Sequence, residues 1–109
     1  MRIVTIDIGH NYPHALYTDR HEVHEPTHVE QVTTDALTGA GFDGHTITHG
    51  TGYWQGAREP QTSARVYLTT ATTIEAATTA LREVAGRIRD ILQQDAVGFT
   101  VQDAEVAFV

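Results

Sequence analysis

The run Thr72-Thr73-Ile74-Glu75-Ala76-Ala77-Thr78-Thr79-Ala80-Leu81-Arg82-Glu83-Val84-Ala85-Gly86-Arg87-Ile88-Arg89-Asp90-Ile91-Leu92 carries the clearest periodicity in the chain. Ile74, Ala77, Leu81, Val84, Ala85, Ile88, Ile91 and Leu92 recur at i, i+3 and i+4, which puts them on one stripe of an amphipathic helix. Thr72-Thr73-Ile74-Glu75 reads as a capping box, in which a threonine hydroxyl takes a free backbone N–H and Glu75 reaches back to the cap. An apolar stripe of this kind must be buried against another layer, and the flanking segments supply strands for it. Before the helix, Ser63 to Thr70 alternates, with Ala64, Val66 and Leu68 on one face and Arg65, Tyr67 and Thr69 on the other. After it, Gly98 precedes a last strand, Phe99 to Phe108, expected to bend near Gln102-Asp103.

The first half of the chain repeats this plan. Arg2-Ile3-Val4-Thr5-Ile6-Asp7-Ile8 is alternating and β-branched, so it reads as a strand with Val4, Ile6 and Ile8 on one face. Gly9 ends it. Residues 10–26 read as a polar, His-rich loop containing Pro13 and Pro26. Thr27-His28-Val29-Glu30 reads as a second capping box, and Val29, Val32, Ala36 and Ala40 recur at helical spacing beside Leu37. Gly39 and Gly41 supply the stop. His45-Thr46-Ile47-Thr48-His49 reads as the second strand. Gly50 to Pro60 holds three glycines and a proline, and reads as a long connection or an irregular hairpin.

The order is β-α-β-β-α-β. It predicts a ferredoxin-like α+β domain over residues 1–109, a four-stranded antiparallel sheet with two helices on one face. The opposite sheet face is left bare, with Thr46, Thr48, Arg65, Tyr67 and Thr69 as residues to line it. A bare face of this kind predicts a homo-oligomer, most simply a twofold dimer.

Composition narrows the function classes. The 109 residues carry 14 acidic and 7 basic side chains, a net charge of −7, so a nucleic-acid polymer is a poor partner for the chain. All seven basic residues are arginine. The absence of cysteine removes disulfides, thiolate nucleophiles, Cys-ligated zinc and iron–sulfur clusters. No segment approaches the ~20 apolar residues of a membrane helix, and the opening residues do not form a signal peptide. A cytoplasmic protein with no membrane contact is the expectation.

Two stretches carry candidate chemistry. In Gly50 to Pro60, Gly52 permits close backbone approach, Tyr53 and the single Trp54 offer flat faces, and Arg58 offers a donor fork. With Arg65 these would suit a small anionic, nucleotide-like ligand: stacking for the base and charge for the phosphate. Asn11 and Tyr12 lie in the loop after the first strand and could approach the same edge. The alternative is structural, with Trp54 a core or interface anchor and Arg58 or Glu59 paired across a dimer seam. The second stretch is rich in histidine, with His10, His14, His21, His24 and His28 in nineteen residues. His21, His24 and His28 form an alternative metal set, against a solvated polar loop. The spacing is not the helical His-Glu-x-x-His of zinc proteases. His45 and His49 share a face of the second strand, with Ile47 between them, and the bland reading is two buried, satisfied histidines on the helix-covered side. Asp7 could act as a general base only beside a histidine. No nucleophile elbow or Walker loop is present, and no cofactor is implied.

From residue 42 onward the chain resembles a family of small proteins of the DUF3574 type. Phe42-Asp43-Gly44-His45-Thr46-Ile47, Gly50-Thr51-Gly52-Tyr53-Trp54, Arg58-Glu59-Pro60 and Gln94-Asp95-Ala96-Val97 carry this resemblance. The run Gly-x-Gly-x-Trp-x-Gly-x-x-Glu, Gly50 to Glu59, also resembles short phage-encoded proteins, some of which counter host defence by sequestering signalling nucleotides. That resemblance implies a binding protein without turnover, which the bare sheet face makes oligomeric in expectation. Two other classes stay open beside it, a metal-dependent protein built on the histidines and an inhibitor or structural module that docks on a protein partner.

Overall fold

The computed structural model describes residues 1–11, 23–54, 56–69 and 73–109, with Trp54 and Ala57 described by backbone alone. The order is β1 (Arg2–Gly9), α1 (Pro26–Gly39), β2 (Thr46–Trp54), β3 (Ala57–Leu68), α2 (Ile74–Ile91) and β4 (Gly98–Asp103). The strands form one sheet in the order β2-β3-β1-β4, with every neighbouring pair antiparallel. This is the ferredoxin-like arrangement expected from the element order.

Alternation decides which face the helices cover. Val4, Ile6 and Ile8 on β1 and Ala64, Val66 and Leu68 on β3 are buried on one face. Val29 and Leu37 of α1 and Leu81, Val84, Ala85 and Ile88 of α2 close over them. Phe99 lies opposite Ile6 and packs on the edge of this core, with the Arg82 guanidinium 4.8 Å above its ring. Two threonines inside the helix layer, Thr33 and Thr78, return their hydroxyls to Val29 O and Ile74 O, so neither carries an unmet donor into the core.

Of the two readings of Gly50 to Pro60, a long connection or an irregular hairpin, the structure has the hairpin: β2 and β3 pair from Thr46↔Arg65 to Trp54↔Ala57, and Gly56 takes the turn with φ +79°. The α1 capping box does not form: Pro26 occupies the first turn and the cap moves to Glu25, with no side-chain cap bond. Thr72 of the α2 box lies outside the described residues, and the Glu75 carboxylate is bound by Arg2 at 2.7 Å. The Arg2 guanidinium also takes Asp103 at 2.8 Å, so one side chain ties β1, β4 and α2. The last strand ends at Asp103; Ala104 N–H still bonds Met1 O, and Phe108 then meets Tyr67 edge-on at 5.6 Å.

Both helices end in left-handed residues. Gly41 has φ +91° after α1, with Phe42 N–H returning to Leu37 O. After α2 the same role falls to Gln93 at φ 53°, with Gln94 N–H returning to Arg89 O.

Candidate functional site

The helix-free face is where this sheet gathers polar side chains. The register places Glu59, Gln61, Ser63, Arg65 and Tyr67 of β3 on it, opposite Gly9, Asp7, Thr5 and Ile3 of β1 from Gln61 onward. On the other flank β2 contributes Gly52, Gly50, Thr48 and Thr46. Three glycines make space here. A Cβ on Gly9 would overlap the Glu59 carboxylate, one on Gly52 would lie 2.8 Å from Gln61 Oε1, and one on Gly98 would lie 3.2 Å from Asp7 Cβ.

Glu59 is the most unusual of these groups. It is half-buried, its carboxylate lies across Gly9, and it accepts the backbone N–H of Asn11. Burial pushes its pKa above the ordinary carboxylate value, and the Asn11 bond pulls in the other direction. Asn11 is itself held by a bridge to Val23 and by Gln94 Nε2, which donates to Asn11 O at 3.0 Å. The end of β1 is therefore a fixed shelf for the Glu59 carboxylate. Further along the face, Ser63 Oγ donates to Asp7 Oδ1 at 2.5 Å, so Asp7 meets a serine and not a histidine.

The other side of the sheet holds a histidine relay. His10 Nε2 lies 2.6 Å from Thr62 Oγ1, and His49 Nδ1 lies 2.9 Å from the same oxygen. His49 Nε2 continues to Glu30 Oε1 of α1 at 3.2 Å. One hydroxyl has one proton, which sets the direction. His10 donates to Thr62, Thr62 donates to His49, and His49 donates to the Glu30 carboxylate. This order leaves only His10 Nδ1, buried and without a hydrogen-bond partner among the described residues, as a bare lone pair. The reverse order would strand an N–H there and aim a lone pair at Glu30. Burial pushes the His10 pKa below its ordinary value, and His49 and His24 add to the shift. His45 and His49 thus do lie on the helix side, as expected, but half exposed. His45 reaches Phe42 O and Thr34.

The sequence candidates divide between the two faces. Tyr53 and Arg58 are cross-strand partners at the exposed end of the β2–β3 hairpin, on the helix side. Gly52 and Arg65 are on the open face, and Arg65 stands seven residues beyond Arg58, about 23 Å along the strand. The two arginines do not meet. Trp54 is placed only through its backbone, opposite Ala57. Asn11 reaches the Glu59 shelf through its main chain, whereas Tyr12 lies outside the described residues. In the metal set, His21 also lies outside them. His24 Nε2 is bound to Leu92 O at 2.7 Å, and the His24 and His28 rings are 5.8 Å apart. Among the described residues no group of three His, Cys, Asp or Glu side chains is placed to hold a metal ion.

Sequence reasoning passed over Glu59, Gln61 and Asp7 as a row. The signal was available: Glu59, Gln61, Ser63 and Arg65 alternate at a period of two. Pro60 and the glycines before it hid this by reading as a loop.

No family model matches the chain, and no curated protein matches it. Among solved structures, the apo state of a phage SAM lyase is similar, with a TM-score of 0.71 and 15% identity over 93% of this chain and 78% of that one. A phage SAM lyase in complex with S-methyl-5'-thioadenosine gives a TM-score of 0.74 and 14% identity over 94% of this chain and 80% of that one. At such identities the likeness is one of fold, and it agrees with the ferredoxin-like sheet described above.

Proposed function

We propose that the protein binds a small adenosine-type ligand carrying sulfur, S-adenosylmethionine or S-methyl-5'-thioadenosine, on its helix-free sheet face, with Glu59 as the polar anchor. The observation that carries this reading is the Glu59 carboxylate itself, held across Gly9 by the Asn11 N–H on the helix-free face. A fixed, half-buried carboxylate is an acceptor for a vicinal diol such as that of ribose. The bound thioadenosine of a structural neighbour supports the ligand class. A face bearing Glu59 and Asp7, on a chain of net charge −7, suits a sulfonium or an uncharged thioether better than a phosphate. The ligand is nucleotide-like, as the sequence suggested, but its charge is neutral or positive.

Calorimetric titration of the untagged protein with both compounds tests this, beside chromatography for S-methyl-5'-thioadenosine released from S-adenosylmethionine. Saturable binding, weakened about tenfold or more by Glu59→Gln, supports the reading. No binding of either compound at millimolar concentration refutes it. The same chromatogram separates two activities. Binding without release is sequestration by a phage-type counter-defence protein, the function implied by the Gly-Trp-Gly resemblance; release above the protein-free control is lyase turnover.

A further inference from the structure

We infer that Asp7 and Arg65 form a seat for an α-amino acid zwitterion on the same open face. The inference rests on the reading above, because it assigns the other end of the same ligand. Asp7 Oδ1 takes the Ser63 hydroxyl at 2.5 Å, which orients the carboxylate and leaves Oδ2 without a protein partner among the described residues. Arg65 is exposed and makes no ion pair or hydrogen bond among the described residues. Asp7 lies opposite Ser63 and Arg65 lies opposite Thr5 in the β1–β3 ladder, so the two residues are diagonal neighbours whose backbone positions are about 7–8 Å apart. They do not close on each other. Arg2 and Arg89, by contrast, are each paired with a carboxylate within 3.0 Å. The other two corners of that diagonal are the small hydroxyl residues Thr5 and Ser63.

A free carboxylate oxygen accepts from an ammonium, and a free guanidinium matches a carboxylate with two parallel donors. Both groups sit on the same carbon in every α-amino acid. The position of the seat relative to Glu59 adds the second half. The Glu59 carboxylate lies over Gly9, two residues from Asp7 along β1, or about 7 Å. Along the sheet the order is an acceptor for a diol, an acceptor for an ammonium and a fork for a carboxylate. An S-adenosyl amino acid presents its ribose at one end and its ammonium and carboxylate at the other, which fits that order. S-Methyl-5'-thioadenosine has the first group alone, so the seat discriminates between the two.

The test is a paired titration with S-adenosylhomocysteine, which keeps the amino acid without the sulfonium, and S-methyl-5'-thioadenosine, which lacks it. Arg65→Gln and Asp7→Asn are the variants; the first is at an exposed position, and the second retains an acceptor for Ser63. The expected result is an affinity about tenfold lower for S-adenosylhomocysteine, with that for S-methyl-5'-thioadenosine held within about twofold. Equal losses for both ligands, or no loss for either, overturn the seat. So does a wild-type protein that binds S-adenosylhomocysteine no more tightly than S-methyl-5'-thioadenosine. In that case the nucleoside site still stands. A wild-type protein that binds neither compound removes the underlying reading, and the seat with it.

Discussion

Gly9→Ala isolates the Glu59 shelf from the stability of the sheet. The new Cβ would stand 2.5 Å from Glu59 Cδ and 3.0 Å from Oε2, closer than van der Waals contact allows. The intruded group is the free end of a flexible side chain, so the carboxylate swings aside and the ladder Gly9↔Gln61 stays. Gly9 is not among the residues of positive φ, so alanine adopts its backbone without strain. Removing glycine from a strand also gains about 0.5–1 kcal/mol by restricting the unfolded chain. These effects oppose each other, and the net change in unfolding free energy stays within about 1 kcal/mol. What is lost is the Asn11 N–H bond and the fixed carboxylate position. A charge-assisted hydrogen bond contributes about 1.5–3 kcal/mol, so affinity for S-methyl-5'-thioadenosine falls by about one to two orders of magnitude. The assay is titration calorimetry at pH 7, with urea unfolding of the same preparations. If Glu59 and Gly9 act through one interaction, Gly9→Ala in the Glu59→Gln background costs little more affinity. A folded Gly9→Ala protein with unchanged affinity refutes the shelf.

Three other outcomes follow from the packing and the ionisable groups. Ile88 is fully buried between α2 and the sheet, and Ile88→Ala lowers the unfolding free energy by about 2–5 kcal/mol, read from urea melts. Gln93 holds φ 53° without being glycine, so Gln93→Gly raises stability by up to about 1 kcal/mol, visible as a higher Tm. The folded-state pKa of His10 is depressed below 6.5, so the unfolded chain takes the proton first as the pH falls. Stability is therefore full above about 6.5 and declines below it; His10→Asn flattens the Tm profile between about pH 7.5 and 5.5, and an unchanged slope would exclude His10 as its source.

The fold was legible because both of its periods are clean. Val4-Thr5-Ile6-Asp7-Ile8 can be only a half-buried strand, and the stripe from Ile74 to Leu92 can be only a helix on a flat layer. The hairpin was legible only as one of two readings, because Gly50, Gly52 and Pro60 are loop residues by propensity. Two of them are explained in three dimensions: Gly52 leaves room for the Gln61 side chain, and Pro60 O accepts the His10 N–H. The α1 capping box gave way to Pro26, just outside the motif, and the Glu75 carboxylate meets Arg2, seventy-three residues away, which no local pattern displays. The site failed for a related reason. The Glu59 shelf joins Gly9 and Asn11 to Glu59 across about fifty residues of sequence, and the relay joins His10 to Thr62 and His49.

The separation of Arg58 from Arg65 alters the chemistry assigned to the face. Two arginines on one edge would clamp a phosphate, the arrangement that the sequence suggests for Arg58 with Arg65. The ladder sets them on opposite faces and leaves Glu59 and Asp7 beside Arg65. A phosphate drawn to within about 4 Å of an ionised Glu59 would meet a repulsion of about 1–4 kcal/mol, depending on how much water remains. One guanidinium about 13 Å from Gly9 along the strand cannot offset it, because that distance exceeds the screening length of a physiological salt solution. The same arrangement favours a ligand that is uncharged or cationic near Glu59 and anionic only at the Arg65 end. S-Adenosylmethionine has that distribution of charge, with its sulfonium and ammonium toward the two carboxylates and its carboxylate toward Arg65.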